Sequence, residues 1–195
     1  MIERSGYSII IACLLLALSS YLLYPPLSLL FVIGALFTAY FFRDPYREIG
    51  DGVVSPADGK IDHIEGRRLE IFMSPFDCHV NRSPASGRVV SVKYIEGSTP
   101  PAFIRKRGVR TNEILIESED GIYRVLQMAG IFARRIVSYV KEGDIVNKGD
   151  KIGMIRFGSR VVLEIPDGYR FVRKVGEKVK AGETVALKDE SIQGS

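Results

Sequence analysis

Gly143-Asp-Ile-Val-Asn-Lys-Gly149-Asp-Lys-Ile152 returns 33 residues later as Gly176-Glu-Lys-Val-Lys-Ala-Gly182-Glu-Thr-Val185. In each copy two glycines bracket a short polar loop, and a short strand-like run follows the second glycine. Two copies are too few for a solenoid, so they read as pseudo-symmetric halves of one compact β domain. The chain around them agrees. From residue 50 onward, runs rich in β-branched and aromatic residues alternate with Gly, Pro, Asn and Asp: Leu69–Met73, Arg88–Tyr94, Glu113–Glu117, Tyr123–Met128, Lys151–Ile155 and Arg160–Ile165. Asp120-Gly121 between two of these runs signals a hairpin. No long run keeps a helical apolar period, and Ile131–Val137 is the stretch that admits a helical turn. Regular turn spacing predicts an all-β sandwich or barrel.

The N-terminus is different in kind. Within the 195 residues, Tyr7 to Phe42 form 36 residues without a charge, interrupted only by Pro25-Pro26. Each half has about the length of a membrane-crossing helix, the second on the short side. The prolines cannot continue a helix and suit a tight turn between two spans. A cleaved signal peptide fits poorly, because Leu18 is followed by Ser-Ser-Tyr-Leu-Leu-Tyr and then by a second apolar run. The expected organisation is a hydrophobic α-helical membrane hairpin, spanning or re-entrant, over 1–48, and a β domain over 49–195. Arg4 before the hairpin, with Arg43 and Arg47 after it, places both ends and the β domain on the cytoplasmic side. Glu3 and Arg4 cancel, so the net charge of +4 lies in residues 43–195. That charge suits an anionic leaflet or acidic head groups, and equally suits simple solubility. Cys13 and Cys78 show no CxxC spacing, which argues against a disulfide scaffold or a structural zinc site.

Three polar segments could carry chemistry: Ser55-Pro56-Ala57-Asp58-Gly59, Phe76-Asp77-Cys78-His79-Val80-Asn81-Arg82-Ser83-Pro84 and Phe157-Gly158-Ser159. Together they offer a serine, a histidine and an aspartate in a chain with two histidines, a set able to supply nucleophile, base and orienter. A Gly-Ser bond is the least hindered place for a hydroxyl to attack its own backbone. Alone, Gly158-Ser159 would be an ordinary turn dipeptide. His63 belongs to no motif and reads as structural or exposed. Cys78 alternates with His79 and is expected to point into the core. Asp77 is expected to pair with Arg82 or a backbone amide.

Taken together, these segments resemble the phosphatidylserine decarboxylase family in its short form. The match rests on Ser55-Pro-Ala-Asp-Gly-Lys60, Met73-Ser-Pro-Phe-Asp-Cys-His-Val-Asn-Arg-Ser-Pro84, Gln127-Met-Ala-Gly130 with Arg134-Arg135, and Arg156-Phe-Gly-Ser-Arg160, in family order across about residues 50 to 165. The glycine-bracketed echoes likewise resemble the hammerhead turns of biotinyl/lipoyl-type barrel-sandwich hybrids, with Ser55–Ile61 as a related strand.

The resemblance implies a proenzyme that cuts itself between Gly158 and Ser159, giving a β chain 1–158 and an α chain 159–195 blocked by a pyruvoyl group made from Ser159. That ketone would form a Schiff base with the amine of a serine phospholipid, and loss of CO2 would leave an ethanolamine lipid. No metal or PLP is implied. By the same match Asp58 orients the base during self-cleavage and His79 handles protons. Longer family members carry a second histidine where this chain has Arg82, and arginine is no base near neutral pH. His79 then serves both steps, or Asp58 works through water.

Arg82, Arg134 and Arg135 are candidates for the lipid phosphate or membrane surface, as is the cluster Arg105-Lys-Arg107 with Arg110. The expected partners are the serine phospholipid, the membrane and the two chains of one proenzyme, with a homo-oligomer left open. Nucleic acid is not among them, since no recognised module accompanies the charge. The sequence does not choose between phosphatidylserine and archaetidylserine, though the short architecture leans to the archaeal lipid. Two rivals remain at this point. A non-enzymatic membrane adaptor built on the hammerhead-like echoes explains the anchor but leaves the histidine segment unused. A serine hydrolase would need a G-x-S-x-G elbow that is absent.

Overall fold

The computed structural model describes residues 2–98, 108–130, 136–156 and 159–189. They fall into two compact units, Met1–Tyr46 and Arg47–Ser195. In the first, α1 (Arg4–Leu23) and α2 (Pro25–Phe41) are apolar helices separated at Tyr24, whose φ of −154° and ψ of 93° break the helix just before the two prolines. The break follows from the proline ring, which disfavours helical geometry in the residue before it, while Pro25 and Pro26 themselves suit a first helical turn. The hairpin's ends meet: Ile2 and Arg43 form a β-bridge and the Glu3 N–H donates to the Phe42 carbonyl at 2.7 Å. Gly6–Leu23 is long and apolar enough to cross a membrane, while Pro25–Phe41 is shorter. Leu18, Leu22 and Leu23 are 64–88% exposed, so α1 is no core helix of this chain.

The second unit is mostly β, a curled sheet flanked by two small ones. Its strands are β1 (Val53–Val54), β2 (Gly59–Glu65), β3 (Arg68–Met73), β4 (Val80–Arg82), β5 (Gly87–Ile95), β6 (Thr111–Ser118), β7 (Gly121–Ala129), β8 (Ile136–Ser138), β9 (Ile145–Val146), β10 (Lys151–Ile155), β11 (Ser159–Glu164), β12 (Tyr169–Phe171), β13 (Lys178–Val179) and β14 (Thr184–Lys188). The large sheet runs β13-β2-β3-β11-β7-β6-β5-β9, and the small sheets run β1-β14-β12 and β4-β10-β8. These orders superpose under a pseudo-two-fold between β11 and β7, which pairs β13 with β9, β2 with β5 and β3 with β6. The same operation pairs β1 with β4, β14 with β10 and β12 with β8.

The four bracketing glycines all need the two-fold's geometry. Gly143, Gly149, Gly176 and Gly182 have φ between 88° and 98°, a region that an L side chain rarely adopts. Even the irregularities repeat. The β2–β3 ladder bulges between Ile61 and His63, and the β5–β6 ladder between Val89 and Ser91. Core side chains come from both halves, including Ile61, Leu69, Ile71 and Val161 from one, and Val89, Ile114, Ile116 and Val125 from the other.

Two expectations change. Ile136 and Val137, expected in a helical turn, lie in β8 because that edge strand pairs with β10; residues 131–135 are outside the described residues. Arg47 and Glu48, expected with the anchor, pack with the β unit.

Candidate active site

One half of the β unit, β4 to β10, is a continuous stretch of chain inserted into the other, between β3 and β11. Among the described elements, the chain leaves the outer half after β3, by residues 74–79, and returns to it at β11. The way out is the histidine segment and the way back is the approach to Ser159. The two links are tied together at their ends. Ser159, the first residue of β11, pairs with Met73, the last of β3, and with Ala129 on its other side. The Ile155 N–H, at the end of β10, donates to the His79 carbonyl at 3.3 Å. Thus the segment 73–79 is fastened on both flanks of the Gly158–Ser159 bond. Gly158 and the Ser159 side chain are themselves outside the described residues, as are Arg134, Arg135 and Arg105–Arg107.

His79 is fully buried. Its Nδ1 lies 2.9 Å from the Asp77 carbonyl, which can only accept, so Nδ1 carries the proton and a neutral ring presents its lone pair at Nε2. Asp77 itself caps the turn after β3: its Oδ2 accepts from the Ser74 N–H at 2.7 Å. The expected Asp77 pairing with a backbone amide is thereby seen. Cys78 is buried, as expected, and burial pushes its thiol up, with the nearby Asp58 charge adding to that.

Asp58 has a counterpart in the other half. Ser55-Pro-Ala-Asp-Gly-Lys60 is mirrored 28 residues later by Ser83-Pro-Ala-Ser-Gly-Arg88. Ser55 and Ser83 donate to the carbonyls of Ala57 and Ala85 at 2.7 and 2.6 Å. The Asp58 Oδ1 accepts from the Ala181 N–H at 2.8 Å, and the Ser86 hydroxyl accepts from the Lys148 N–H at 2.9 Å. One carboxylate oxygen therefore does what a serine does in the equivalent place. Asp58 differs by having a second oxygen, and Arg47 donates to it at 2.6 Å. Burial pushes the Asp58 carboxyl up from its ordinary value; the Ala181 N–H and the Arg47 charge act against this without cancelling it.

Arg47 arrives there on a strap. Ile49 fills the space where a side chain on Gly149 would sit and lies 3.0 Å from the corresponding position on Gly182. The Gly50 N–H donates to the Gly182 carbonyl at 2.9 Å. Residues 47–50 thus lie against the second bracketing glycine of each half. Arg82, at the position of the longer members' second histidine, donates from Nη1 to the Gly149 carbonyl at 2.9 Å. A buried amide chain completes the surroundings: Asn112 donates to Gln127 at 2.8 Å and Gln127 to Asn81 at 2.7 Å, all three fully buried. It joins β4, the strand after His79, to β7 beside β11 and to β6 beyond it. Among the described residues no three His, Cys, Asp or Glu side chains converge as a metal set would. His63 stands apart, with Nε2 3.3 Å from Glu65.

Sequence reasoning found the serine, histidine and aspartate segments and named Gln127 within a matching segment, but gave Gln127 and Arg47 no part in the site and missed Asn112. The Ser-Pro-Ala-x-Gly repeat was readable beforehand and would have exposed Asp58 as the odd member of a pair. No local pattern announced the amide chain.

A family model described as phosphatidylserine decarboxylase matches residues 35–187. A protein of Archaeoglobus fulgidus named putative archaetidylserine decarboxylase proenzyme is 79% identical over 195 residues, covering all of both chains. A phosphatidylserine decarboxylase proenzyme of Streptomyces avermitilis is 48% identical over 154 residues, covering 74% of this chain and 71% of its own. Among solved structures, glucose permease IIA from Mycoplasma capricolum matches at 21% identity over 69% of this chain and 92% of that one, with a TM-score of 0.42, too low to carry an argument.

Proposed function

The chain belongs to the phosphatidylserine decarboxylase family, and from that premise we propose a membrane-bound proenzyme that cuts itself at Gly158–Ser159 and then decarboxylates a serine phospholipid. Membership makes it an enzyme of phospholipid decarboxylation and sets the adaptor reading aside. The observation that carries the finer reading is the double fastening of segment 73–79 across the bond, through Ser159–Met73 and Ile155–His79.

In self-cleavage the Ser159 hydroxyl attacks the Gly158 carbonyl, exchanging the amide for an ester. Loss of the Gly158 carboxylate by elimination leaves dehydroalanine at position 159, and hydrolysis with release of ammonia leaves the ketone. His79 takes the hydroxyl proton at Nε2, because Nδ1 is held by the Asp77 carbonyl. Asp58 contributes a negative charge beside Asp77 and Cys78, the residues preceding that ring. Arg82 serves the hammerhead turn through Gly149.

The residues present fit a pyruvoyl group at position 159. Losing the Ser159 nitrogen affects only the first rung of β11, and Arg160 to Glu164 stay paired on both sides. The group supplies a ketone that takes up the head-group amine and accepts the electron pair left by departing CO2. His79 returns a proton to the head-group carbon. The name borne by the 79% identical relative supports archaetidylserine as the substrate. The apolar α1 and α2 support a membrane anchor, and the arginines flanking them support a cytoplasmic β unit.

Intact mass and lipid extraction test this. Wild-type protein should yield chains 1–158 and 159–195, the smaller reacting with carbonyl reagents, while Ser159→Ala stays whole and inactive. Active wild-type protein with an unbroken chain would end the proposal. Archaetidylserine should be consumed faster than phosphatidylserine, and the reverse would reassign the tails.

A further inference from the structure

Arg160, the second residue after the proposed cut, is 5% exposed despite its charge. Its guanidinium grips Asp62 with two nitrogens, at 2.8 and 2.7 Å, and Glu70 at 2.7 Å. Glu70 also accepts from Arg68 at 3.0 Å. Asp62 is the extra residue of the β2–β3 bulge, and a bulge re-aims its side chain. Such a cluster is expensive to bury, and well-packed apolar residues usually serve stability as well or better.

The pseudo-two-fold offers a comparison here, in which the counterpart of Arg160 is 52% exposed and meets no burial cost. The ladder registers place Val90 at the matching bulge, Leu115 at the position of Glu70 and Ile122 at that of Arg160. The half without a cut strand is apolar at all three positions. The half with one is charged at all three. The difference falls on the two residues that hold Arg160 and on Arg160 itself.

We propose that Arg160, clamped between Asp62 and Glu70, is a positioning residue that keeps position 159 in register once the chain ahead of it is gone. This rests on the cleavage reading above. Before the cut, residue 159 is held from both directions along the chain. Afterwards it is a chain end, and chain ends fray unless tied down. The bidentate fork fixes both the position and the rotation of residue 160, and residue 159 has one bond of freedom beyond it. A lysine could supply the charge but not the fork.

The test uses full-length protein in detergent, with kcat and KM for serine phospholipid expressed per mole of carbonyl-labelled α chain, so that incomplete processing does not enter. The triple variant Arg160→Ile, Asp62→Val, Glu70→Leu copies the apolar trio of the other half and should fold. Its kcat per labelled chain should fall about 10- to 100-fold, the scale on which misplacement of a reacting group acts, with KM little changed. Arg160→Lys, which keeps the charge and needs no repacking, should fall between it and the wild type. A merely structural role would lower thermal stability or the processed fraction and leave kcat per labelled chain intact. Unchanged kcat per labelled chain in both variants would overturn the clamp while leaving cleavage standing. A wild-type enzyme that decarboxylates without any carbonyl-reactive α chain would overturn the cleavage reading and the clamp with it.

Discussion

Replacing Arg47 by Met isolates the cation beside Asp58 with little loss of side-chain volume. In the uncut Ser159→Ala protein, stability can be measured on one continuous chain. The two charged groups are 2.6 Å apart, with side chains 11% and 10% exposed, so water screens them weakly. Removing one partner of such a pair costs about 3 kcal/mol. A ceiling comes from the carboxyl's ability to take up a proton instead. With an ordinary pKa of 3.8, protonation at pH 7 costs about 4.4 kcal/mol, at 1.36 kcal/mol per unit. The sign of the pH dependence follows. Burial already raises the Asp58 value in the folded protein, and losing Arg47 raises it further, so the folded state binds the proton more tightly than the unfolded state. Stability of Arg47→Met therefore falls as pH rises from the unfolded value through the folded one, and levels off above it. Urea denaturation of the full chain in detergent, at pH 4.5, 5.5 and 7, should show the deficit growing with pH. Adding Asp58→Ser recreates the uncharged Ser86 arrangement and should restore most of the loss. A deficit equal at all three pH values, or one untouched by Asp58→Ser, would refute the reasoning.

Asp58→Ser alone keeps a cap for the Ala181 N–H but removes the second oxygen, so the protein should fold while self-cleavage slows about 100-fold or more, the range of proton-handling groups; the rate at which the α chain appears on a gel reports this, and unaltered cleavage would make Asp58 structural. Gly149→Ala combines a φ of 88° with a collision against Ile49 and should lose about 1–3 kcal/mol, visible in Tm. Ile49→Ala in the same chain should recover only the part due to the collision, and a neutral Gly149→Ala would mean that the strap does not lie there.

Much of the fold was legible because glycine spacing and strand patterning are local signals. The echo at Gly143 and Gly176 gave the two halves, and the β-branched runs gave β3, β5, β6, β7, β10 and β11 within a residue or two. What escaped depends on pairing between distant segments. Ile136 joins an edge strand because β10 lies beside it, a fact absent from its own neighbourhood. The site divides in the same way. Ser159, His79 and Asp58 stand out by residue type and motif, whereas Arg47 looked like a charge beside the anchor and gained its meaning only from burial next to Asp58. Arg160 likewise read as an ordinary strand residue until its burial between Asp62 and Glu70 set it apart from its exposed counterpart Ile122.

The insertion of β4 to β10 within the other half has a lasting effect on how the molecule can come into being. Cleavage at Gly158 would divide only the outer half, sending β1 to β3 to one polypeptide and β11 to β14 to the other, with β11 woven between β3 and β7 and β14 between β1 and β12. The precursor reaches this weave by a single-molecule search. The mature pair, once unravelled, would need two molecules to find each other before either sheet could close. A cut there would make maturation hard to reverse in a topological sense as well as a covalent one: the working enzyme would keep a shape that its uncut parent reaches within a single molecule.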